Sequence, residues 1–247
     1  MSSFLEASRA SWPEIETAVA AGALAVVAVG ACEQHGAHLP LITDTVMAEG
    51  VAREIARREG AVLLPPVTYG EAWNNEAFPG TISLSPETLQ AMIFDIGAGV
   101  KRIGFSALIT VNGHFGNREP IALAARRLNN IHNLPVLSLD YPGLDALCAD
   151  VLDSKPAGFG FMHADEMETS FMLALAPDSV RMDRAEAEYP DFPPTFGMEP
   201  MQLRDFNSSG VFGDPRPATA EKGRRLIDGV VAESLRQISL FRTRHGI

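Results

Sequence analysis

Three residues near the first apolar run of the sequence are typical ligands for a transition metal. Glu33 and His35 stand two residues apart, and Asp44 follows at the start of a predicted helix. Side chains two apart in an extended segment point the same way, so Glu33 and His35 can face one ion. Carboxylate and imidazole together suit Zn²⁺, Mn²⁺ or Fe²⁺. Asp44 could cap the helix, but its two oxygens also allow it to bridge two ions.

Two later segments add residues of the same types. His114 comes directly after another apolar run, and His163 precedes Glu166 and Glu168 at a predicted helix start. Acidic residues also favour a helix N-terminus through the helix dipole. However, three acids beside a histidine (Asp165, Glu166 and Glu168) exceed what capping needs. We therefore expect one of the two glutamates to bind metal. His163 is a candidate general acid or base, because imidazole titrates near neutral pH.

The elements that must position these residues alternate along the chain. Continuous apolar runs predict buried strands, and capping signals with 3.6-residue periodicity predict helices between them. This order indicates one α/β domain over residues 1–247, with a mainly parallel sheet flanked by helices on both faces. Since ligands bind at the carboxyl ends of such strands, the polar segments should meet at one edge. The predicted strands are 23–29, 61–64, 104–111 and 135–139, and the main helices are 12–21, 45–59, 85–100, 165–176 and 218–241.

Composition excludes several classes of protein. The formal net charge of -11 argues against a nucleic-acid partner. Two cysteines form no disulfide framework, and the N-terminus has no secretory signal pattern. No apolar run reaches the ~18 residues of a membrane span. We therefore expect a cytoplasmic protein with neither a nucleic-acid partner nor a membrane partner.

The polar segments resemble the motifs of one known family. Residues 33–44 are similar to the E-Q-H-G-x-H-L-P-x-x-T-D signature of the creatininase family. The segments 112–117 and 163–170 resemble its second and third motifs, and 78–81 and 210–215 also match. The resemblance spans nearly the whole chain. It implies a creatininase-like fold, a pair of Zn, Mn or Fe(II) ions in each chain, and homo-oligomers that are often hexamers.

The resemblance also implies how the metals are held. Glu33 and His114 should bind one ion, His35 should bind the other, and Asp44 should bridge the two. Creatininase proper carries a further glutamate two residues after the motif histidine, where this chain has a glycine, Gly116.

The missing glutamate must then be replaced from elsewhere in the chain. Related sequences with the same second motif carry a glutamate where Glu166 stands, so Glu166 is expected to be the fifth ligand, with Glu168 as its competitor. The chain also lacks an aromatic pair to match the tryptophans that close over creatinine, so creatinine is not the expected substrate.

These expectations define a reaction. A metal-bound hydroxide would cleave a non-peptide C–N bond in a small cyclic amide or formamide, and His163 would give a proton to the leaving nitrogen. Glu168 could orient His163, although a salt bridge to its own helix is equally plausible. Trp73 and Asn117 are expected to line the substrate pocket. One alternative is a metallopeptidase that trims a short peptide, as in the mycofactocin branch, and another is a metal-binding protein without turnover.

Overall fold

The protein is built on a five-stranded, fully parallel sheet. A computed structural model describes residues 4–247. The strands are β1 (Leu5–Glu6), β2 (Ala25–Val29), β3 (Val62–Leu63), β4 (Leu108–Asn112) and β5 (Val136–Leu139). Their order in the sheet is β1-β3-β2-β4-β5, and every neighbouring pair is parallel. The predicted single-domain α/β architecture with a parallel sheet is confirmed.

Helices cover both faces of the sheet. They are α1 (Trp12–Ala20), α2 (Thr43–Glu59), α3 (Pro86–Ile103), α4 (Arg118–His132), α5 (Leu144–Val151), α6 (Glu166–Leu175) and α7 (Ala220–His245). One apolar core lies between the sheet and α2, α6 and α7, and a second lies between the sheet and α1, α3 and α4. All residues of β2 and β4 are buried, which explains why these strands are continuously apolar rather than alternating.

Local sequence signals account for most helix ends. Ser11 and Glu14 form a capping box at α1, and the Ser85 hydroxyl accepts from the backbone N–H of Thr88 at α3. Gly60 ends α2 in the left-handed conformation. The short elements β1 and α5 were not predicted, because two residues of strand and eight of helix are too short for periodicity to identify.

The sheet order places a ligand-binding edge beside β2. From β2 the chain passes through α2 to β3 on one side, then through α3 to β4 on the other side. Val29 is the register partner of Asn112, so β2 and β4 end level with each other. In open α/β sheets, this point of reversal between neighbouring strands is where ligands bind. In the described part of the chain, no helix is long and apolar enough to cross a membrane.

Candidate metal centre

Three side chains converge at the ends of β2 and β4. Nδ1 of His114 lies 3.0 Å from Oε1 of Glu33 and 3.2 Å from Oδ2 of Asp44. Glu33 and Asp44 are buried and His114 is nearly so. Glu33 lies in the loop after β2, where its backbone N–H donates to the carbonyl of Leu41. This group forms the first candidate metal position.

The second position shares Asp44 with the first. Nε2 of His35 lies 3.1 Å from Oδ1 of Asp44 and 3.6 Å from Oε2 of Glu168. The two oxygens of Asp44 therefore face different groups, one towards His114 and the other towards His35. Asp44 lies in the first turn of α2 but does not cap it, because the N-cap is Ile42 and no side chain caps there. This is the arrangement that a bridging carboxylate requires.

Backbone carbonyls set the tautomers of both histidines. Nδ1–H of His35 donates to the carbonyl of Glu33 (3.1 Å), and Nε2–H of His114 donates to the carbonyl of Glu71 (2.6 Å). In the neutral form of each ring, the other nitrogen then presents a lone pair to the carboxylates. Lone pairs and carboxylate oxygens repel each other unless a cation lies between them. Histidines that bind metals usually donate their second N–H in the same way.

The carboxylates also draw positive charge into the cluster. Burial lowers the pKa of His35, but Asp44, Glu168 and Glu33 outweigh burial and raise it to about 10. Burial likewise opposes protonation of His114, while Glu33 and Asp44 raise its pKa well above the usual value. Burial raises the pKa of Glu168, and the nearby Asp44 raises it further. Three buried carboxylates at one point are stable only when positive charge compensates them.

The donor atoms fit metal ions in spacing and in chemistry. Ligand atoms about 2.1 Å from one ion are about 3.0–3.4 Å apart in octahedral or tetrahedral coordination. Among residues 4–247, Oδ2 of the buried Asp44 has no hydrogen-bond partner, although it lies 3.2 Å from Nδ1 of His114. A buried carboxylate oxygen without a partner, beside a nitrogen that points at it, fits a position for a metal ion. The set of carboxylate and imidazole donors suits Zn²⁺, Mn²⁺ or Fe²⁺.

His163 faces the same cluster from the segment before α6. Its Nε2–H donates to the carbonyl of Gln34 (2.9 Å), so Nδ1 points inward. Nδ1 lies 3.8 Å from Oε1 of Glu33 and 4.0 Å from Oε2 of Glu168. Burial, followed by the neighbouring His35, lowers the pKa of His163 to about 3. This histidine is therefore neutral near pH 7, and the lone pair of Nδ1 faces the cluster.

The prediction that Glu166 is the fifth ligand does not agree with its position. Its carboxylate pairs with Lys222 of α7 and accepts from the backbone N–H groups of Asp153 and Ser154. Glu168 reaches the cluster instead, and its Oε2 accepts from the N–H of Ala164 at 2.6 Å. Residues two apart on a helix point to different sides, so only one of the two glutamates can face the metals.

The two residues predicted to line a substrate pocket have different surroundings. Asn117 is fully buried, and its amide is occupied by the carbonyl of Gly30, the side chain of Asn112 and the N–H of Glu71. It ties the segments around β2 and β4 together and is not exposed to a substrate. Trp73 is 38% exposed and borders a groove of about 420 Å³, which is also lined by Glu71.

Sequence reasoning missed several residues that support the cluster. Asn75 donates to Oε2 of Glu33 (2.8 Å) and accepts from the side chain of Gln34 (2.9 Å). Asn75 belongs to the long loop between β3 and α3, and loops of that length are usually functional. Glu71 fills the space beside Gly116, where an added Cβ would overlap the Glu71 carbonyl oxygen and lie 2.9 Å from Nε2 of His114. A glutamate at position 116 would therefore not fit.

Comparisons with known proteins agree with this fold. The sequence matches the family model Creatininase, described as creatinine amidohydrolase, over residues 8–238. It is 32% identical to creatinine amidohydrolase of Pseudomonas putida over 92% of this chain and 94% of that protein. It is also 34% identical to the mycofactocin precursor peptide peptidase of Mycolicibacterium smegmatis, over 84% of this chain and 81% of that protein. A solved structure of a creatininase described with Mn superposes with a TM-score of 0.81 and 31% identity, covering 94% of this chain and 98% of that one.

The fold and the cluster define the class: a parallel α/β protein with a candidate metal centre of carboxylates and histidines at the switch point of its sheet. The chain belongs to the creatininase family, as its motifs predicted.

Proposed function

We propose that this protein is a metal-dependent amidohydrolase that cleaves a non-peptide C–N bond in a small cyclic amide or formamide. The observation that carries the proposal is the convergence of Nδ1 of His114 and Nε2 of His35 on the two oxygens of Asp44. Two divalent ions, when bound by Glu33, Asp44, His114, His35 and Glu168, would supply an activated water and polarise the substrate carbonyl.

The protein side chains have separate tasks in this reaction. Neutral His163 takes a proton from the attacking water at Nδ1 and passes it to the leaving nitrogen, so one residue serves as base and then as acid. The carbonyl of Gln34 holds its ring in the required tautomer through the 2.9 Å hydrogen bond from Nε2–H. Glu168 serves as a metal ligand here, rather than only orienting His163. Trp73 forms an apolar wall of the approach to the site.

A peptidase is the second candidate function. The identity to the mycofactocin precursor peptide peptidase is as high as that to creatinine amidohydrolase, so sequence similarity does not separate the two activities. The same residues can hydrolyse a peptide bond, because the attack on the carbonyl carbon and the protonation of nitrogen are unchanged. The two activities differ in the length of the substrate that must reach the metal centre, which is a small amide for the amidohydrolase and a short peptide for the peptidase.

A panel of substrates separates these candidates. The purified chain would be loaded with Mn²⁺, Zn²⁺ or Fe²⁺ and incubated with lactams that include creatinine, with formamides, and with short peptides, while released product is measured by chromatography. We expect release from lactams or formamides, loss of activity on chelation, and recovery when metal is added. Asp44→Asn protein prepared in parallel is the control, because a contaminating amidase would remain active in that sample.

Each other outcome assigns a different function. Release from peptides alone would favour the peptidase. Tight metal binding with no turnover of any substrate would favour a metal-binding protein without catalysis. Full activity in protein verified to be free of metal would refute the proposed mechanism.

A further inference from the structure

The groove beside the metal centre carries negative charge that the reaction described above does not use. Its volume is about 420 Å³, and residues between 71 and 86 line it. Two of these residues, Glu71 and Glu76, are acidic, and the partly exposed Trp73 adds an apolar wall. No basic side chain of the described residues 4–247 lines this groove, which we call the Trp73 groove.

The Trp73 groove adjoins the metal cluster through His114. The backbone carbonyl of Glu71 accepts from Nε2–H of His114 (2.6 Å), and Nδ1 of the same ring faces Glu33 and Asp44. The carboxylate of Glu71 lies beside this ring as well. A Cβ placed on Gly116 would be 2.5 Å from Oε2 of Glu71 and 2.9 Å from Nε2 of His114. One imidazole ring therefore separates Glu71 from the first metal position.

The carboxylate of Glu71 has no positively charged partner. It is partly buried, and its Oε1 accepts one long hydrogen bond, 3.3 Å, from the backbone N–H of Trp73. Among residues 4–247, no lysine or arginine forms an ion pair with it, whereas the partly buried Glu6 pairs with Arg53. Burial removes water from the Glu71 carboxylate without supplying a compensating charge, so a ligand that brings a cation would offset that cost.

The N-terminus of α3 also borders the groove, at Ser85 and Pro86. The helix dipole places only about half a positive charge there. Glu87 in the first turn of α3 opposes even that. The full negative charges of Glu71 and Glu76 therefore dominate. A cleft lined by charge of one sign concentrates ligands of the opposite sign.

We propose that the Trp73 groove binds a positively charged nitrogen group of the substrate. The carboxylate of Glu71 is its ion-pair partner, and the indole of Trp73 is a face on which the cation packs. A substrate held in this way extends past His114, so that its amide reaches the metals. This inference rests on the proposed function and specifies its substrate class, a small amide that carries a cationic group.

Fluorine NMR of protein labelled with 5-fluorotryptophan and loaded with diamagnetic Zn²⁺ tests the groove directly. The chain has two tryptophans, so Trp12, which is 75% exposed at the start of α1, is the internal control. The probes are cyclohexylammonium and cyclohexanol, which differ mainly in charge. We expect cyclohexylammonium to shift the Trp73 resonance saturably, cyclohexanol to bind roughly fivefold more weakly, and the Trp12 resonance to stay in place.

Two variants with the same change in net charge identify the carboxylate. Glu71→Gln keeps the backbone carbonyl that His114 contacts, so its metal content should be unchanged. It should bind cyclohexylammonium roughly fivefold more weakly and lose the preference over cyclohexanol. Glu16→Gln, which alters an exposed carboxylate in α1, should match the unmodified protein. Equal affinities for the two probes, or a preference that survives Glu71→Gln, would overturn the proposal.

Hydrolysis of α-amino-ε-caprolactam and ε-caprolactam separates this inference from the proposed function. We expect the unmodified protein to favour the amino-lactam through a lower KM, and Glu71→Gln to lose that preference through a higher KM. If cyclohexylammonium binding depends on Glu71 but no amide is hydrolysed, the proposed function fails while the cation site stands. If both lactams are hydrolysed with equal kcat/KM, the proposed function stands and the cation site fails.

Discussion

Replacing Glu168 and Glu166 separately by glutamine tests the metal assignment most directly. Oε2 of Glu168 lies 3.6 Å from Nε2 of His35, whereas Glu166 pairs with Lys222. Two unit charges ~4 Å apart attract by about 4 kcal/mol at an effective dielectric constant of ~20. A carboxylate in direct contact with a divalent ion stabilises it by at least this ~4 kcal/mol. Glu168→Gln should therefore lower the affinity for the second metal ion by roughly 10³-fold.

The same substitution at Glu166 should have a different result. The Glu166 side chain is fully buried, and that of Lys222 is 16% exposed. Lys222 keeps its ion pair with the exposed Asp153 (2.7 Å), so the cost lies at the lower end of the range for breaking a buried ion pair, roughly 3 kcal/mol. In a chain of this size, that corresponds to a fall in melting temperature of roughly 6–12 °C. Glu166→Gln should therefore be less stable and still bind two metals.

The two variants are distinguished by the number of metal ions bound per chain. This number is measured by elemental analysis after dialysis against a defined free Mn²⁺ concentration. Circular dichroism and thermal unfolding of the same samples report the fold. We expect one ion in Glu168→Gln and two in Glu166→Gln. The reasoning is refuted if Glu166→Gln loses an ion while Glu168→Gln retains two tightly bound ions.

Three further predictions concern other parts of the centre. Asp44→Ala should lose both metals together in elemental analysis; a loss of only ~1 kcal/mol in unfolding free energy with both metals retained would indicate a helix-capping role instead. His163→Ala should slow turnover by roughly 10²–10⁴-fold at full metal content, and substrates with good leaving groups should be less affected; an equal loss for good and poor leaving groups would contradict the acid role. Gly116→Ala should lower the melting temperature and weaken metal binding, because the added Cβ would displace Glu71, whereas Gly99→Ala, whose Cβ meets nothing closer than 3.8 Å, should be neutral or stabilising. Equal melting temperatures and metal affinities for the two glycine variants would contradict the close packing at position 116.

Much of this fold was predictable because its signals are local. Continuous apolar runs identified β2, β3, β4 and β5, and capping residues identified most of the helix starts. The parallel order follows from the alternation of strands and helices. The same order predicts that the segments after β2 and β4 meet at one edge, which is where the structure brings Glu33 and His114 together.

The sequence by itself determined the family, the parallel α/β architecture, and the kinds of side chain that gather at the edge of the sheet. Only the tertiary structure decided which glutamate reaches the cluster. Glu166 and Glu168 lie in the same helical turn, and their assignment depends on Lys222, which approaches from α7 and takes the carboxylate of Glu166. Periodicity states which residues share a face of a helix, but it does not state what packs against that face. The support that Asn75 gives to Glu33 was hidden for the same reason, since the two residues are 42 positions apart and meet only after folding.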